Sequence, residues 1–79
     1  MSRTPTNNRI LFVDDEETIL SGFRLTIGRH FDVFVASSGT EGLEVFKEEG
    51  PFAVVVSDFQ MPGMNGAEFL NEIRSLDSE

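Results

Sequence analysis

Two runs of nearly pure apolar residues, Ile10-Leu11-Phe12-Val13 and Ala53-Val54-Val55-Val56, are the strongest constraint on what this chain can fold into. A strand with one wet face alternates apolar and polar residues, whereas a strand covered on both faces is apolar throughout. Runs of the second kind point to a sheet sandwiched between helices. The intervening segments have helical spacing. From Glu17 to about Gly28, residues Ile19, Leu20, Phe23 and Ile27 fall on one stripe, and Asp15 or Glu16 is placed to cap the start, where acid suits the helix dipole. Phe31–Ala36 reads as a second strand. Ser38 and Glu41 form a capping-box pattern opening a second helix, with Leu43 and Phe46 inward and a stop at Gly50-Pro51. After a Met61–Met64 loop, Asn65 and Glu68 repeat that pattern before Phe69, Leu70 and Ile73. The order βαβαβα predicts a three-layer α/β domain with parallel strands and right-handed crossovers.

Both apolar runs end abruptly in acid: the first in Asp14-Asp15-Glu16, the second, after Ser57, in Asp58. Parallel strands deliver their carboxyl ends to one rim of the sheet, and ligands bind there where the strand order reverses. With order 2-1-3 that crevice lies between the first and third strands. Taken singly, each acid has an ordinary explanation, as a solvated helix start or a turn residue. Taken together they place three carboxylates in one small volume, where a hard cation bound through oxygen is the usual answer to their repulsion.

Composition removes other options. With 79 residues the chain is one domain at most, and a domain of this size buries only roughly 60% of the surface its unfolded chain exposes. Absence of cysteine excludes a disulfide scaffold, a thiolate zinc site and a cysteine nucleophile. A net charge of −8 with six scattered basic residues disfavours direct nucleic-acid binding. No apolar run is long enough to span a bilayer, so no membrane association and a cytoplasmic location are expected. Residues 1–8 are expected to be a disordered lead-in to a domain over 9–79. The eight Phe are read as core, Met61 and Met64 as loop packing, Gly63 and Gly66 as turn markers, and the single histidine, His30, as a surface residue.

Phe12-Val13-Asp14-Asp15-Glu16 together with Asp58-Phe59-Gln60-Met61-Pro62-Gly63-Met64-Asn65-Gly66 resembles the receiver domain of two-component response regulators. The resemblance implies a flavodoxin-like fold and a phosphoacceptor module, not an enzyme in its own right, served by a sensor histidine kinase. It makes Asp58 the phosphoacceptor and assigns Mg²⁺ to Asp14, Asp15, Asp58 and the backbone carbonyl of Gln60. The chemistry is consistent with that assignment. A carboxylate attacks an anionic phosphoryl group poorly unless a cation neutralises the approach. Asp15 is then a direct ligand, Asp14 a ligand directly or through water, and the Gln60 side chain a modulator of the hydrolytic water.

Receivers carry the five-stranded order 2-1-3-4-5, whereas these 79 residues supply three strands. The Ser or Thr that ends the family's fourth strand and the Lys that ends its fifth have no counterpart here, and Lys47, in the second helix, is no substitute. A truncated receiver is therefore expected, impaired in phosphorylation and switching. Its third strand becomes an unprotected apolar edge, from which a homodimer is expected. Two alternatives compete: a Mg²⁺-dependent phosphatase-like α/β enzyme, and a self-assembling structural fragment with a vestigial site. The first expects Asp-x-Asp after its nucleophile strand, a pattern that neither acid cluster supplies.

Overall fold

The computed structural model describes residues 8–77. Its elements are β1 (Arg9–Val13), α1 (Glu17–Ile27), β2 (Asp32–Ala36), α2 (Gly39–Glu49), β3 (Val54–Ser57) and α3 (Gly66–Asp77). The three strands form a parallel sheet in the order β2-β1-β3. The expected disordered lead-in lies outside the described residues except for Asn8. That residue is tied down: its carbonyl accepts the Asp32 N–H at 3.0 Å and its side-chain amide donates to the His30 carbonyl at 3.2 Å.

Side chains alternate across the sheet. The register pairs Ile10 and Phe12 with Val33 and Val35 on one side and with Val54 and Val56 on the other; Leu11 and Val13 pair with Phe34 and Ala36, and with Val55 and Ser57. The first set faces α1, where the Phe12 and Phe23 rings lie 4.2 Å apart. The second set faces α2 and α3 and holds the main core, built on Leu11, Val13, Ala36, Met61, Phe69 and Ile73. Three layers result, as the element order predicts.

The helix boundaries follow from local chemistry. Ser38 accepts the Glu41 N–H at 3.1 Å, but Glu41 reaches back to Ser37 and not to Ser38. At α3 the box is fully reciprocal: Asn65 accepts the Glu68 N–H at 2.8 Å while Glu68 accepts the Asn65 N–H at 3.0 Å. At α1 the expected side-chain cap from Asp15 or Glu16 is not formed. Glu16 occupies the cap position without a side-chain bond, and Asp14 makes the local bond instead.

Coverage of the sheet is incomplete at the third strand, as expected of an unprotected edge. Uniformly apolar strands predict burial of both faces, yet α1 lies over β1 and β2 and leaves the β3 side bare. Val54 and Val56 are 48% and 37% exposed and Ile19 is 44% exposed, in contrast to Leu20 on the same helix at 5%. The Phe set is not all core either: Phe31 and Phe59 are exposed, whereas Phe12 and Phe69 are buried. An apolar run records what a strand is suited to bury, not whether a neighbour arrives to bury it.

Candidate functional site

Backbone bonds that continue the ladder one residue beyond the strands set the site. The Asp14 N–H donates to the Ala36 carbonyl at 3.1 Å, and the Asp58 N–H donates to the Val13 carbonyl at 2.9 Å. Asp14 and Asp58 are thus fixed at the carboxyl rim on adjacent strands, β1 and β3. Asp14 is buried, and its Oδ1 accepts the Glu16 N–H at 3.0 Å. That bond turns the chain from β1 into α1 and orients the carboxylate. Asp15 is exposed and Asp58 half-buried.

One carboxylate oxygen each from Asp14, Asp15 and Asp58 lie within 4.8 Å of one another. Oxygens around Mg²⁺ sit at about 2.1 Å from the ion, so opposite ligands are about 4.2 Å apart. Adjacent ligands of an octahedral ion are about 3.0 Å apart and at most one pair of three can be opposite, so the cluster closes further on binding, which the exposed Asp15 is placed to supply. The donor set, all oxygen and graded from buried to exposed, fits a hard cation that keeps part of its water. Gln60 lies exposed in the loop two residues beyond Asp58.

The loop after Asp58 is anchored from below. Met61 is buried in the core, Gly63 turns the chain at φ +78°, and Met64 packs on Gly39 at the start of α2. Both methionines are therefore loop packing, as expected. Gly66, read in the sequence as a turn marker, instead opens α3. Not singled out in the sequence is the Ser57 hydroxyl, which donates to the Asp58 carbonyl at 3.0 Å. Its one advance signal is its place beside the acid. A cleft of about 170 Å³ lies elsewhere, between α1 and the start of α2, and none of the three aspartates lines it. The acid cluster is a shallow rim site, which suits a small ion better than an enclosed organic ligand.

The family model of the response regulator receiver domain matches residues 10–79. The chain belongs to the response regulator receiver domain family. This receiver is 37% identical over 71 residues to the uncharacterised transcriptional regulatory protein YkoG of Bacillus subtilis, covering 89% of its own length and 31% of that protein's. It is 40% identical over 67 residues to the sensor kinase CckA of Brucella abortus, covering 82% of itself and 7% of the kinase. Among solved structures, response regulator TrrA of Thermotoga maritima, in complex with Mg²⁺-BeF, superposes with a TM-score of 0.80 at 34% identity, over 89% of the receiver and 61% of TrrA. The receiver thus spans about a third or less of these two curated relatives and about three-fifths of TrrA. No helix among the described residues is long and apolar enough to cross a membrane.

Proposed function

We propose that this chain is a phosphoacceptor module that takes a phosphoryl group from a histidine kinase onto Asp58. The observation that carries the reading is the convergence of the Asp14, Asp15 and Asp58 carboxylates at one rim from two separate strands. Family membership and the Mg²⁺-BeF complex of TrrA support it. Asp14, Asp15, Asp58 and the Gln60 carbonyl would hold Mg²⁺. When bound, that ion supplies positive charge against the carboxylates and the incoming phosphoryl oxygens. Asp58 supplies the nucleophile: a carboxylate oxygen bonds to phosphorus as the nitrogen–phosphorus bond of a phosphohistidine protonated at its other ring nitrogen breaks, the bond's electrons staying on nitrogen, which leaves a neutral imidazole and an acyl phosphate. Asp14, held by its bond to Glu16, keeps the rim acidic and ordered, and the exposed Gln60 side chain moderates access of the water that later hydrolyses the acyl phosphate. The setting is cytoplasmic.

Within the 79 residues no Lys stands at the rim, since Lys47 is exposed in the last turn of α2. Phosphoryl uptake by this polypeptide is accordingly slow and substoichiometric, while cation binding is retained. Intact-mass and peptide-level mass spectrometry after treatment with acetyl phosphate and Mg²⁺ tests this. The expected result is a partial phosphate adduct confined to the Asp58 peptide and abolished by a chelator. An adduct elsewhere, or one indifferent to the chelator, contradicts the assignment; rapid stoichiometric uptake contradicts the impairment.

Strand β3 carries the nucleophile and also ends the sheet, with β1 on one side and no strand among the described residues on the other. Such an edge, flanked by the exposed Val54 and Val56, is a template for pairing with a second copy about a two-fold axis. Light scattering at micromolar concentration is expected to give the mass of a dimer, and Val54→Lys that of a monomer. A monomeric wild-type chain would sink the dimer without touching the phosphoacceptor reading.

A further inference from the structure

Asp58 is held from two directions. On the strand side, its N–H donates to Val13 and its carbonyl accepts the Ser57 hydroxyl. On the helix side stands Gly66, the buried first residue of α3, whose N–H donates to the Phe59 carbonyl at 2.9 Å. A Cβ at position 66 would lie 2.2 Å from the Asp58 carbonyl oxygen, 2.9 Å from the Phe59 Cα and 3.0 Å from the Asp58 carbonyl carbon. All three are backbone atoms, which cannot rotate aside. Gly66 is therefore required for space and not for unusual torsion; Gly63 has the chain's positive φ among the described residues.

Helix α3 has no easy retreat from such a clash. Phe69, one turn along, is wholly buried and packs on Val13 and on Gly42 of α2, where an added Cβ would come within 2.8 Å of the Phe69 ring. The Asn65–Glu68 box fixes the helix start as well. Withdrawing α3 would pull Phe69 from the core, so a side chain at position 66 displaces the Asp58–Phe59 backbone instead. Such a displacement changes the place of the Asp58 carboxylate relative to Asp14 and Asp15 and that of the Gln60 carbonyl two residues on.

We propose that Gly66 is a positioning residue for the rim site: by letting the start of α3 lie against the Asp58 carbonyl, it sets the place of the Asp58 carboxylate. The proposal rests on the cation-site reading for its functional consequence, but its geometric content can be read independently. The helical control is Gly22, where an added Cβ meets nothing within 4 Å. A second control is Ile73→Val, a core change in α3 well away from the rim in sequence.

The test compares wild type, Gly66→Ala, Gly22→Ala and Ile73→Val, each as the 79-residue chain. Resonances of the Asp58, Phe59 and Gln60 amides and of the Asp58 side-chain carboxyl carbon are recorded, with thermal melting and Mg²⁺ titration alongside. In Gly66→Ala the Asp58–Gln60 signals are expected to move more than those of β1 or α2, and Mg²⁺ affinity to fall about tenfold, the scale for disturbing groups that orient metal ligands. Gly22→Ala and Ile73→Val are expected to keep wild-type affinity, even where Ile73→Val lowers the melting temperature as much. Unmoved Asp58 signals, or an equal affinity loss in Ile73→Val, overturn the proposal. So does a Gly66→Ala chain that stays unfolded even in sucrose, which strengthens effective burial, since Gly66 would then serve helix docking alone. If wild type binds no Mg²⁺, the cation reading fails, and the resonance shifts still decide the role of Gly66.

Discussion

Asp58→Asn is expected to abolish the phosphate adduct and, without added Mg²⁺, to make the protein more stable. Both effects come from one cause. The wild-type site holds three carboxylate oxygens within 4.8 Å, with Asp14 buried. Like charges held this close disfavour the folded state, and at an effective dielectric near 20 two unit charges 4 Å apart interact by about 4 kcal/mol before solvent screening. The exposure of Asp15 and partial exposure of Asp58 reduce that greatly, so a gain of about 1 kcal/mol is the reasonable scale. A cation that binds only the folded state should then reverse the order, since ligand at a hundred times its dissociation constant adds about 2.7 kcal/mol. Urea titrations with and without saturating Mg²⁺ read both effects. The variant is expected to start above wild type and gain less from the ion. An Asp58→Asn chain less stable than wild type in chelator contradicts the picture of a repulsive cluster.

Phe69→Ala is expected to remove most of the folded population. Its ring is fully buried on the better-built face of the sheet, against Val13 and Gly42. Truncating a buried Phe costs about 3–5 kcal/mol. A domain of this length has roughly 4–12 kcal/mol of total stability at 0.05–0.15 kcal/mol per residue, and one bare sheet face argues for the lower end. Phe59→Ala makes the contrast: that ring is 67% exposed beside Asp58, and a surface change of this kind is expected to stay within about 0.5 kcal/mol. Circular dichroism in a urea series distinguishes the two. Comparable losses for Phe59 and Phe69 would mean that the core does not lie where Leu11, Val13 and Phe69 place it.

The sequence carried the element order because each signal was local. Uninterrupted apolar runs marked β1 and β3, a helical stripe marked α1, and the Asn65–Glu68 box marked the start of α3, which forms as read. The candidate site was legible for a topological reason: parallel strands bring Asp14 and Asp58 to one rim wherever the loops go. What stayed hidden depends on distance between backbones. Gly66 looked like one more turn glycine because its requirement is the nearness of the Asp58 carbonyl, 2.2 Å from where a Cβ would sit. The Ser57 hydroxyl and the Asp14–Glu16 bond escaped for the same reason, since residue type does not specify which oxygen a short side chain will meet. Exposure of Phe59 was also hidden, because burial depends on whether a partner surface is present; that of Val54 and Val56 was legible in a third strand with no fourth strand beside it.

Mg²⁺ titration of the wild-type chain and of Asp14→Asn, Asp15→Asn and Asp58→Asn, followed by amide resonances at the carboxyl rim, reads whether the three aspartates form one cation site. One saturable site is expected in wild type, with shifts concentrated at Asp14, Asp15 and Asp58–Gln60, and weaker binding in all three variants. Binding that is absent in wild type, or that survives unchanged in all three, would show that the two acid-ended strands do not form a common cation site.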